Sequence, residues 1–248
     1  MCTNALCLGA YAADLWPEIL IGGVEIGFAH RSFKWRNNAS ANAAVICVVV
    51  GLRNISTLPK RIFDDDITGD AKNINAYLID APSLSVESTS KPINGLPEMT
   101  FGEMPRDDGN LILSTNDKDI LISNSPESEK FIMKFLGSEE IIHGLDRYCL
   151  WIDERHDINS LAQAKKIPEI SRRIKDVEIF RSQSTNPSTR NFSSQSHRFV
   201  ERRSPANFLS AIFIPIHTSE NRPYLSIEHV EKSCIASNAC LVIYDAPE

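Results

Sequence analysis

The chain has 248 residues, of which 42% are hydrophobic and 23% charged, as in globular proteins rather than disordered or coiled-coil chains. No apolar run approaches the ~20 residues of a bilayer-spanning helix, so we expect no membrane partner. The net charge of −6 by itself argues against a nucleic-acid partner. Six cysteines without Cys-x-x-Cys spacing predict reduced thiols in a cytoplasmic protein, without a zinc knuckle.

The first fifty residues predict one helix and two strands. Residues 10–22 are compatible with a helix that ends at two glycines. Residues 24–29 alternate as in a half-buried strand, and residues 43–50 are apolar on both faces, which suits a strand buried inside an α/β sheet. The polar segment 30–42 between them is predicted to be a loop. One helix cannot cover both faces of a wide sheet. We therefore expect this first segment to be the last part of a sheet that belongs to a longer chain.

Beyond residue 54, where we place the domain boundary, the pattern predicts a mixture of short strands and helices. Turn-rich chain is expected over 80–110, and a polar linker or flexible loop over 182–196. A helix should begin at Pro126 and end at Gly137, and another should follow Ile167. The strand candidates are residues 75–79, 110–113, 208–216 and 241–244.

Positive charge is concentrated in one segment of the second half. Residues 165–203 carry 10 basic and 4 acidic side chains, most of the basic ones arginine. Such a local excess is large enough for phosphate binding, but it is equally typical of a solvated helix face. Both interpretations remain open on charge alone.

The segment FAHRSFKW, residues 28–35, contains the most informative pattern for chemistry. Phe33 and Trp35 alternate with Arg31, Lys34 and Arg36. Aromatic rings stack on unpaired bases and cations bind phosphates, so the pattern suits an extruded nucleotide. The alternative is that the two aromatic rings close the bottom of a core.

A run of carboxylates offers a weaker hypothesis. The segment Asp64-Asp65-Asp66, followed by Asp70 and Lys72, is similar to the carboxylate-and-lysine set of metal-dependent nucleases. Because these residues fall within one polar loop, a solvated turn is favoured over a nuclease that would use Asp65, Asp70 and Lys72. The sequence has no P-loop and no Gly-x-Gly-x-x-Gly or His-Glu-x-x-His motif, so no metal site is predicted.

Longer motifs run through nearly the whole chain. They include CTNALCLG at 2–9, FAHRSFKW at 28–35, VICVVVGLRNI at 45–55, RYCLWI at 147–152 and SENRPY at 219–224. Together they resemble the MmeI-like restriction–modification proteins. In that family a nuclease, an N6-adenine DNA methyltransferase and a target-recognition domain lie on one chain.

The resemblance implies a domain for each half. Residues 1–54 would be an α/β remnant, the last helix and strands of a Rossmann-like methyltransferase sheet, and residues 55–248 a mixed α+β target-recognition domain. The family's Asn-Pro-Pro-aromatic motif and its glycine-containing S-adenosylmethionine motif do not occur in this sequence. We therefore expect no complete active site and no cofactor bound by this chain alone, with S-adenosylmethionine held in the complete enzyme.

The resemblance also implies double-stranded DNA as the partner. Phe33 is the first choice for stacking on the flipped adenine and Trp35 the second. Alternatively, the chain is a subunit of a split methyltransferase, completed in trans by an upstream polypeptide. Base or phosphate contacts are expected from Arg181, Arg190, Arg198 and Arg222, and backbone-positioning charge from Arg172, Arg173 and Lys175.

A sheet without its central strands would expose the 45–50 edge, which predicts poor solubility.

Overall fold

The computed structural model describes residues 4–36, 44–64, 67–92, 95–218, 222 and 224–246. The chain divides into two compact units, Met1–Ser90 and Lys91–Glu248. The described strands form three four-stranded sheets, one in the first unit and two in the second. The fold is therefore mixed α and β, as predicted.

The first unit contains one helix and one sheet. Helix α1, Gly9–Leu20, precedes strands that follow the order β2-β1-β3-β4 in the sheet. Strands β1 and β2 are antiparallel, β1 and β3 are parallel, and β3 and β4 form a hairpin. The predicted helix and both predicted strands are confirmed. The strands are β1, Val24–Arg36; β2, Ala44–Asn54; β3, Lys60–Asp64; and β4, Ile67–Ala71.

Strand β1 is longer than predicted, and the predicted loop at 30–42 is wrong in its first part. Pairing with β2 continues to Arg36 opposite Ala44, so Phe33 and Trp35 lie on a strand. Register shifts between Ile26 and Phe28 and between His30 and Phe33 accommodate the extra residues as bulges. Residues 37–42 lie outside the described residues.

Strand β2 is not buried on both faces, contrary to the prediction. It forms the edge of the described sheet, with β1 as its neighbour there. Val45 is 51% exposed and Val49 37%. The reason is that the core lies on the other face, where Val48 packs with Ala12 and Trp16 of α1.

The predicted strand at 75–79 is a turn. The Asn75 side chain accepts hydrogen bonds from the backbone N–H groups of Tyr77 and Ile79, at 3.0 and 3.3 Å. Leu78 has a φ of 57°, which a strand cannot accommodate. Ile74, Ala76 and Leu78 instead pack into the core of the first unit. The predicted boundary after residue 54 concerns domain identity and stays a prediction.

The second unit contains sheets of order β10-β9-β12-β5 and β11-β7-β8-β6. The core of the β11-β7-β8-β6 sheet includes Leu150, Ile170 and Phe199, and a separate core at the other sheet includes Phe213 and Val242. The helices are α2, Thr115–Asn124; α3, Ser138–His143; α4, Ser160–Ala164; α5, Pro168–Ser182; and α6, Pro187–Arg190. The strands are β5, Met99–Phe101; β6, Ile112–Leu113; β7, Ile132–Leu136; β8, Tyr148–Leu150; β9, Ser210–Pro215; β10, Glu228–Glu231; β11, Cys234–Ala236; and β12, Cys240–Tyr244.

Predictions for the second unit are partly confirmed. Helix α5 and strands β9 and β12 form where expected, while β6 covers only the end of 110–113. The helix predicted from Pro126 is a short 3₁₀ helix, Pro126–Phe131, followed by β7, because Ile132–Leu136 pairs with β8 and β11. The predicted linker at 182–196 contains α6 and a 3₁₀ turn, Ser193–Gln195.

The helices of the fold are short. Within the described ranges, none is both long and apolar enough to span a bilayer.

Candidate DNA interface

Four aromatic side chains follow one another along one face of β1. Their partners on β2 alternate along that strand, and directly paired residues point to the same side of a sheet. The other face packs against α1 through Ile26 and Ala29. This aromatic row consists of Phe28, His30, Phe33 and Trp35, paired with Gly51, Val49, Cys47 and Val45.

Phe33 and Trp35 lie next to each other at the end of the row. Their ring centroids are 6.4 Å apart with an interplanar angle of 63°. Phe33 is half-buried, whereas Trp35 is 55% exposed. Trp35 therefore does not close the core, and both rings are placed where a planar ligand could contact them.

The start of the row forms an aromatic groove that sequence reasoning missed. His30 stacks on Phe63 of β3 with centroids 4.4 Å apart, and Phe28 meets Phe63 edge-on at 6.5 Å. The Phe28 ring lies over Gly51, where a Cβ atom would come within 2.0 Å of it. Arg53 and Arg61 also line the groove, whose volume is about 630 Å³. The two-residue spacing of Phe28 and His30 is the sequence signal that could have placed them on one face of a strand. Phe63 has no such signal, because the parallel pairing of β3 with β1 brings it into the groove.

Lys34 does not share the face of the aromatic row. Lys34 pairs with Ile46 and is exposed on the opposite side. Arg31 lies in the bulge and binds Asp64, with Nη1 2.7 Å from Oδ2. Arg36 ends the strand, and its side chain is outside the described residues. Residues that alternate in the sequence of a strand point to opposite faces, so the rings and the charge are separated rather than interleaved.

Helix α5 carries three predicted cations with different surroundings. Arg172 is exposed but lies between Glu169 and Asp176, at 2.7 and 2.6 Å. Arg173 is only 14% exposed and also binds Glu169 and the carbonyl oxygen of Asn110. Lys175 is exposed. Of these three, Lys175 is the most available to a phosphate.

Arg181 is completely buried, and its predicted DNA contact is wrong. The guanidinium donates to five backbone carbonyl oxygens and has no exposed surface. Burial lowers its pKa to about 10, which still leaves it protonated at neutral pH. The hydrogen bonds of Arg181 therefore join segments of the second unit that are distant in sequence. The acceptors are Pro105, Arg106, Phe192, Gln195 and Arg198, at 2.7–3.2 Å.

The remaining predicted arginines are engaged to different extents. Exposed Arg190 donates from Nη1 to the carbonyl oxygens of Ser184 and Thr185. Arg198 is half-buried, and its Nε has no hydrogen-bond partner within the described ranges. Arg222 lies over the Tyr224 ring at 5.4 Å. Arg190 and Arg222 therefore keep donors that could reach a ligand.

Part of the local positive charge is paired with carboxylates, inside and outside the basic segment. Arg202 binds Asp153 at 3.2 Å, and Arg203 binds Glu201. Arg155, which precedes the basic segment, approaches Asp153 at 2.8 Å. Burial alone would raise the pKa of Asp153, but hydrogen bonds from Arg155 and the nearby Arg202 lower it to about 2. The excess of positive charge counted in the sequence is therefore larger than the excess exposed at the surface.

The carboxylates of the nuclease hypothesis do not form a cluster. Asp70 lies on β4 opposite Arg61, is 79% exposed and pairs with it at 3.5 Å. Lys72 follows β4, and its backbone N–H binds Asp80. Asp65 lies outside the described residues, and the described part of the chain has no group of three or more His, Cys, Asp or Glu placed to hold a metal.

Comparison with known proteins gives the same family for both units. Residues 80–248 match the family model "MmeI, target recognition domain", and residues 1–64 match "MmeI, DNA-methyltransferase domain". "DNA methyltransferase A" from Bacillus subtilis (strain 168) is 37% identical over 245 residues. A solved structure of the Type IIL restriction-modification enzyme MmeI in complex with DNA is similar, with a TM-score of 0.71 and 36% identity.

These relatives are much longer than the chain. The alignment covers 98% of this chain but 27% of DNA methyltransferase A, and the superposition covers 99% of this chain but 33% of MmeI. The target recognition model alone spans more than half of the 248 residues. This chain therefore belongs to the MmeI family.

Proposed function

We propose that the chain is the DNA-recognition part of a site-specific N6-adenine DNA methyltransferase of the restriction–modification type. The observation that carries this proposal is the match of residues 80–248 to the MmeI target recognition domain. The DNA in the solved MmeI complex supports double-stranded DNA as the ligand.

Residues 1–54 of the first unit would be the end of a Rossmann-like methyltransferase sheet, with the domain boundary near residue 54. Two observations support this. Residues 1–64 match the methyltransferase domain model, and β2 lies at the edge of the described sheet with exposed Val45 and Val49. An open edge can pair with a further strand of a wider sheet.

S-adenosylmethionine does not fit the first unit as a resident cofactor. Dinucleotide-type sites lie where a strand leads through a glycine-rich turn into a helix. In the described sheet, the parallel strands β1 and β3 are connected through β2 rather than through a helix. The methyl donor would therefore bind another part of the complete enzyme, and no step of the reaction is assigned to this chain.

The chain would contribute to base positioning and duplex binding. Phe33 is proposed to stack on the flipped adenine, with Trp35 as the second choice, because both lie on the open face of β1. Duplex contacts are proposed for the cations that keep donors accessible. These are Lys175, Arg190 and Arg222, with Arg172, Arg31 and Lys34 as further contacts.

The first test is a salt titration of duplex binding, measured by fluorescence anisotropy on the full chain. Binding should weaken as salt rises, with a log–log slope of about −0.9 per phosphate contacted. Calorimetry should detect no binding of S-adenosylmethionine by the chain alone. A flat salt response, or tight binding of S-adenosylmethionine, would contradict the proposal.

The open edge of β2 also favours a second candidate, a split enzyme completed in trans. Mixing the chain with a polypeptide that carries the Asn-Pro-Pro-aromatic and S-adenosylmethionine motifs should then restore adenine methylation. In that mixture Phe33→Ala should reduce methylation, since stacking on one base contributes about 1–3 kcal/mol. Leu209→Ala, an 85% exposed position of the second unit, is the control. Absence of methylation in the mixture would contradict the split enzyme and leave DNA recognition as the proposed function.

A further inference from the structure

The second unit has a pocket of about 260 Å³ that shares no residue with the proposed DNA contacts. The 3₁₀ helix Pro126–Phe131, the chain after β8, helix α4 and the turn between β10 and β11 all contribute to it. Its apolar wall consists of Phe131, Met133, Trp151, Phe208 and Ile235.

Trp151 is the most accessible large aromatic of this wall. The Arg202 guanidinium lies 4.2 Å from its ring centroid, and the Phe199 ring meets it edge-on at 5.5 Å. These neighbours fix the indole, which remains only half-buried where it lines the pocket. A fixed indole is a suitable surface for stacking a planar ring.

The carboxylates of the pocket are already engaged. Asp153 binds Arg155 and Arg202, and Asp157 accepts a hydrogen bond of 2.9 Å from the Gln163 amide. The charge of Asp153 is therefore compensated, whereas that of Asp157 is not, because the Gln163 amide is neutral.

Two lysines of the pocket keep their charge without an acidic partner. Lys130 binds the neutral side-chain oxygen of Gln163. Lys232 is exposed, and no carboxylate in the described part of the chain lies within 4 Å of its ammonium. The pocket thus combines an aromatic wall with two positive charges and one uncompensated negative charge, Asp157, and the remaining positive excess would match an anionic ligand.

A buried hydroxyl also lines the pocket without a partner. Ser160 is 6% exposed, and its Oγ makes no hydrogen bond to any residue that the structure describes. Buried polar groups are normally paired, but this Oγ atom has almost no accessible surface, so a bound molecule contacts it only if the wall of the pocket moves.

We propose that this pocket binds a nucleotide, with the base against Trp151 and the phosphate at Lys130 and Lys232. The volume lies just below the ~300 Å³ at which small-molecule sites begin, which excludes ligands much larger than one nucleotide. A free nucleotide and a nucleotide extruded from DNA present the same chemistry. The binding of a free nucleotide does not depend on the duplex binding proposed above.

The test measures binding of 2′-deoxyadenosine 5′-monophosphate to the full chain by calorimetry, beside deoxyadenosine and inorganic phosphate. The nucleotide should bind more tightly than either fragment. Lys130→Gln with Lys232→Gln should weaken binding about tenfold, since each exposed charge contributes at most about 1 kcal/mol. The control Lys134→Gln with Lys165→Gln removes the same charge outside the pocket and should leave affinity unchanged.

Incorporation of 5-fluorotryptophan gives a readout that does not depend on a destabilising variant. The Trp151 resonance, assigned with Trp151→Phe, should shift on nucleotide addition. If phosphate binds as tightly as the nucleotide, or if the Trp151 resonance does not move, the proposal is wrong. Displacement of the nucleotide by a duplex with a mispaired adenine, but not by a matched duplex, would identify DNA as the source. Displacement by neither duplex would identify the free nucleotide.

Discussion

Nη2 of Arg181 donates a hydrogen bond of 2.7 Å to the carbonyl oxygen of Arg198, 17 residues further along the chain. The same guanidinium reaches Gln195 at 2.9 Å and Pro105 at 2.8 Å. One buried side chain thus joins the end of α5 to two separate segments. Backbone carbonyls buried away from water need donors, and Arg181 supplies them here.

Replacement of Arg181 should therefore destabilise the second unit. Arg181→Ala removes a donor from five carbonyl oxygens, of which those of Phe192 and Gln195 keep a backbone donor, and we expect a loss of at least about 3 kcal/mol. Arg181→Lys keeps the charge but not the planar fork, so it should recover only part of that loss. Urea unfolding followed by circular dichroism measures both. Lys175→Ala, at an exposed position of α5, is the control and should change stability by less than about 0.5 kcal/mol.

Arg181 also shows why sequence predicted helix α5 but not the segment after it. Ile170, Ile174 and Val177 recur with helical spacing, and Pro168 stands in the first turn, so local pattern is sufficient. The order of residues 182–196 depends instead on one buried guanidinium and on carbonyls distant in sequence. Its composition of serine, threonine and asparagine contains no such signal.

The sequence likewise predicted only part of the candidate interface. Phe33 and Trp35 stand out by composition, whether or not they lie on a loop. Their grouping with His30 depends on a bulge, and the contact of His30 with Phe63 depends on parallel pairing between β1 and β3. Neither the bulge nor the pairing has a local sequence pattern.

Cations that contact DNA phosphates should each contribute to the salt dependence of duplex binding. Lys175→Gln and Arg190→Gln should each reduce the magnitude of the log–log slope by about 0.9, because one fewer counterion is released. Anisotropy titrations at several salt concentrations measure this slope. The control is Lys134→Gln on β7, an exposed lysine that pairs with Asp146. Equal slopes for all three variants would remove Lys175 and Arg190 from the proposed interface.

Acid should destabilise the first unit through Glu25. Lys60 and Arg53 bind this carboxylate at 2.9 and 2.8 Å, joining β1 to β2 and β3. The hydrogen bond from Lys60, with that from Arg53, lowers the pKa of Glu25 to about 2. An unfolded chain has a glutamate pKa of about 4.3, so the stabilisation is complete above that pH and is lost as the pH falls toward 2.

Urea unfolding at pH 2–7, followed through the fluorescence of buried Trp16, tests this dependence. Glu25→Gln should lower stability at pH 7 by roughly 1 kcal/mol after screening by solvent, and should flatten the pH profile below pH 4.5. Glu18→Gln, at an exposed position of α1, is the matched control and should retain the profile of the parent chain. A parent profile that does not fall between pH 4.5 and 2 would contradict the role of Glu25.

The edge strand β2 should make the isolated chain associate with itself. Val45 and Val49 expose apolar surface beside an edge that other strands can pair with, and exposed apolar edges promote aggregation. Val49→Lys should raise the monomer fraction in size-exclusion chromatography with light scattering, because an edge lysine opposes pairing. Ile158→Lys adds the same charge at an 82% exposed position of the second unit and should not. A monodisperse parent monomer that melts cooperatively would show that the edge needs no partner, and would weaken the case for a wider sheet.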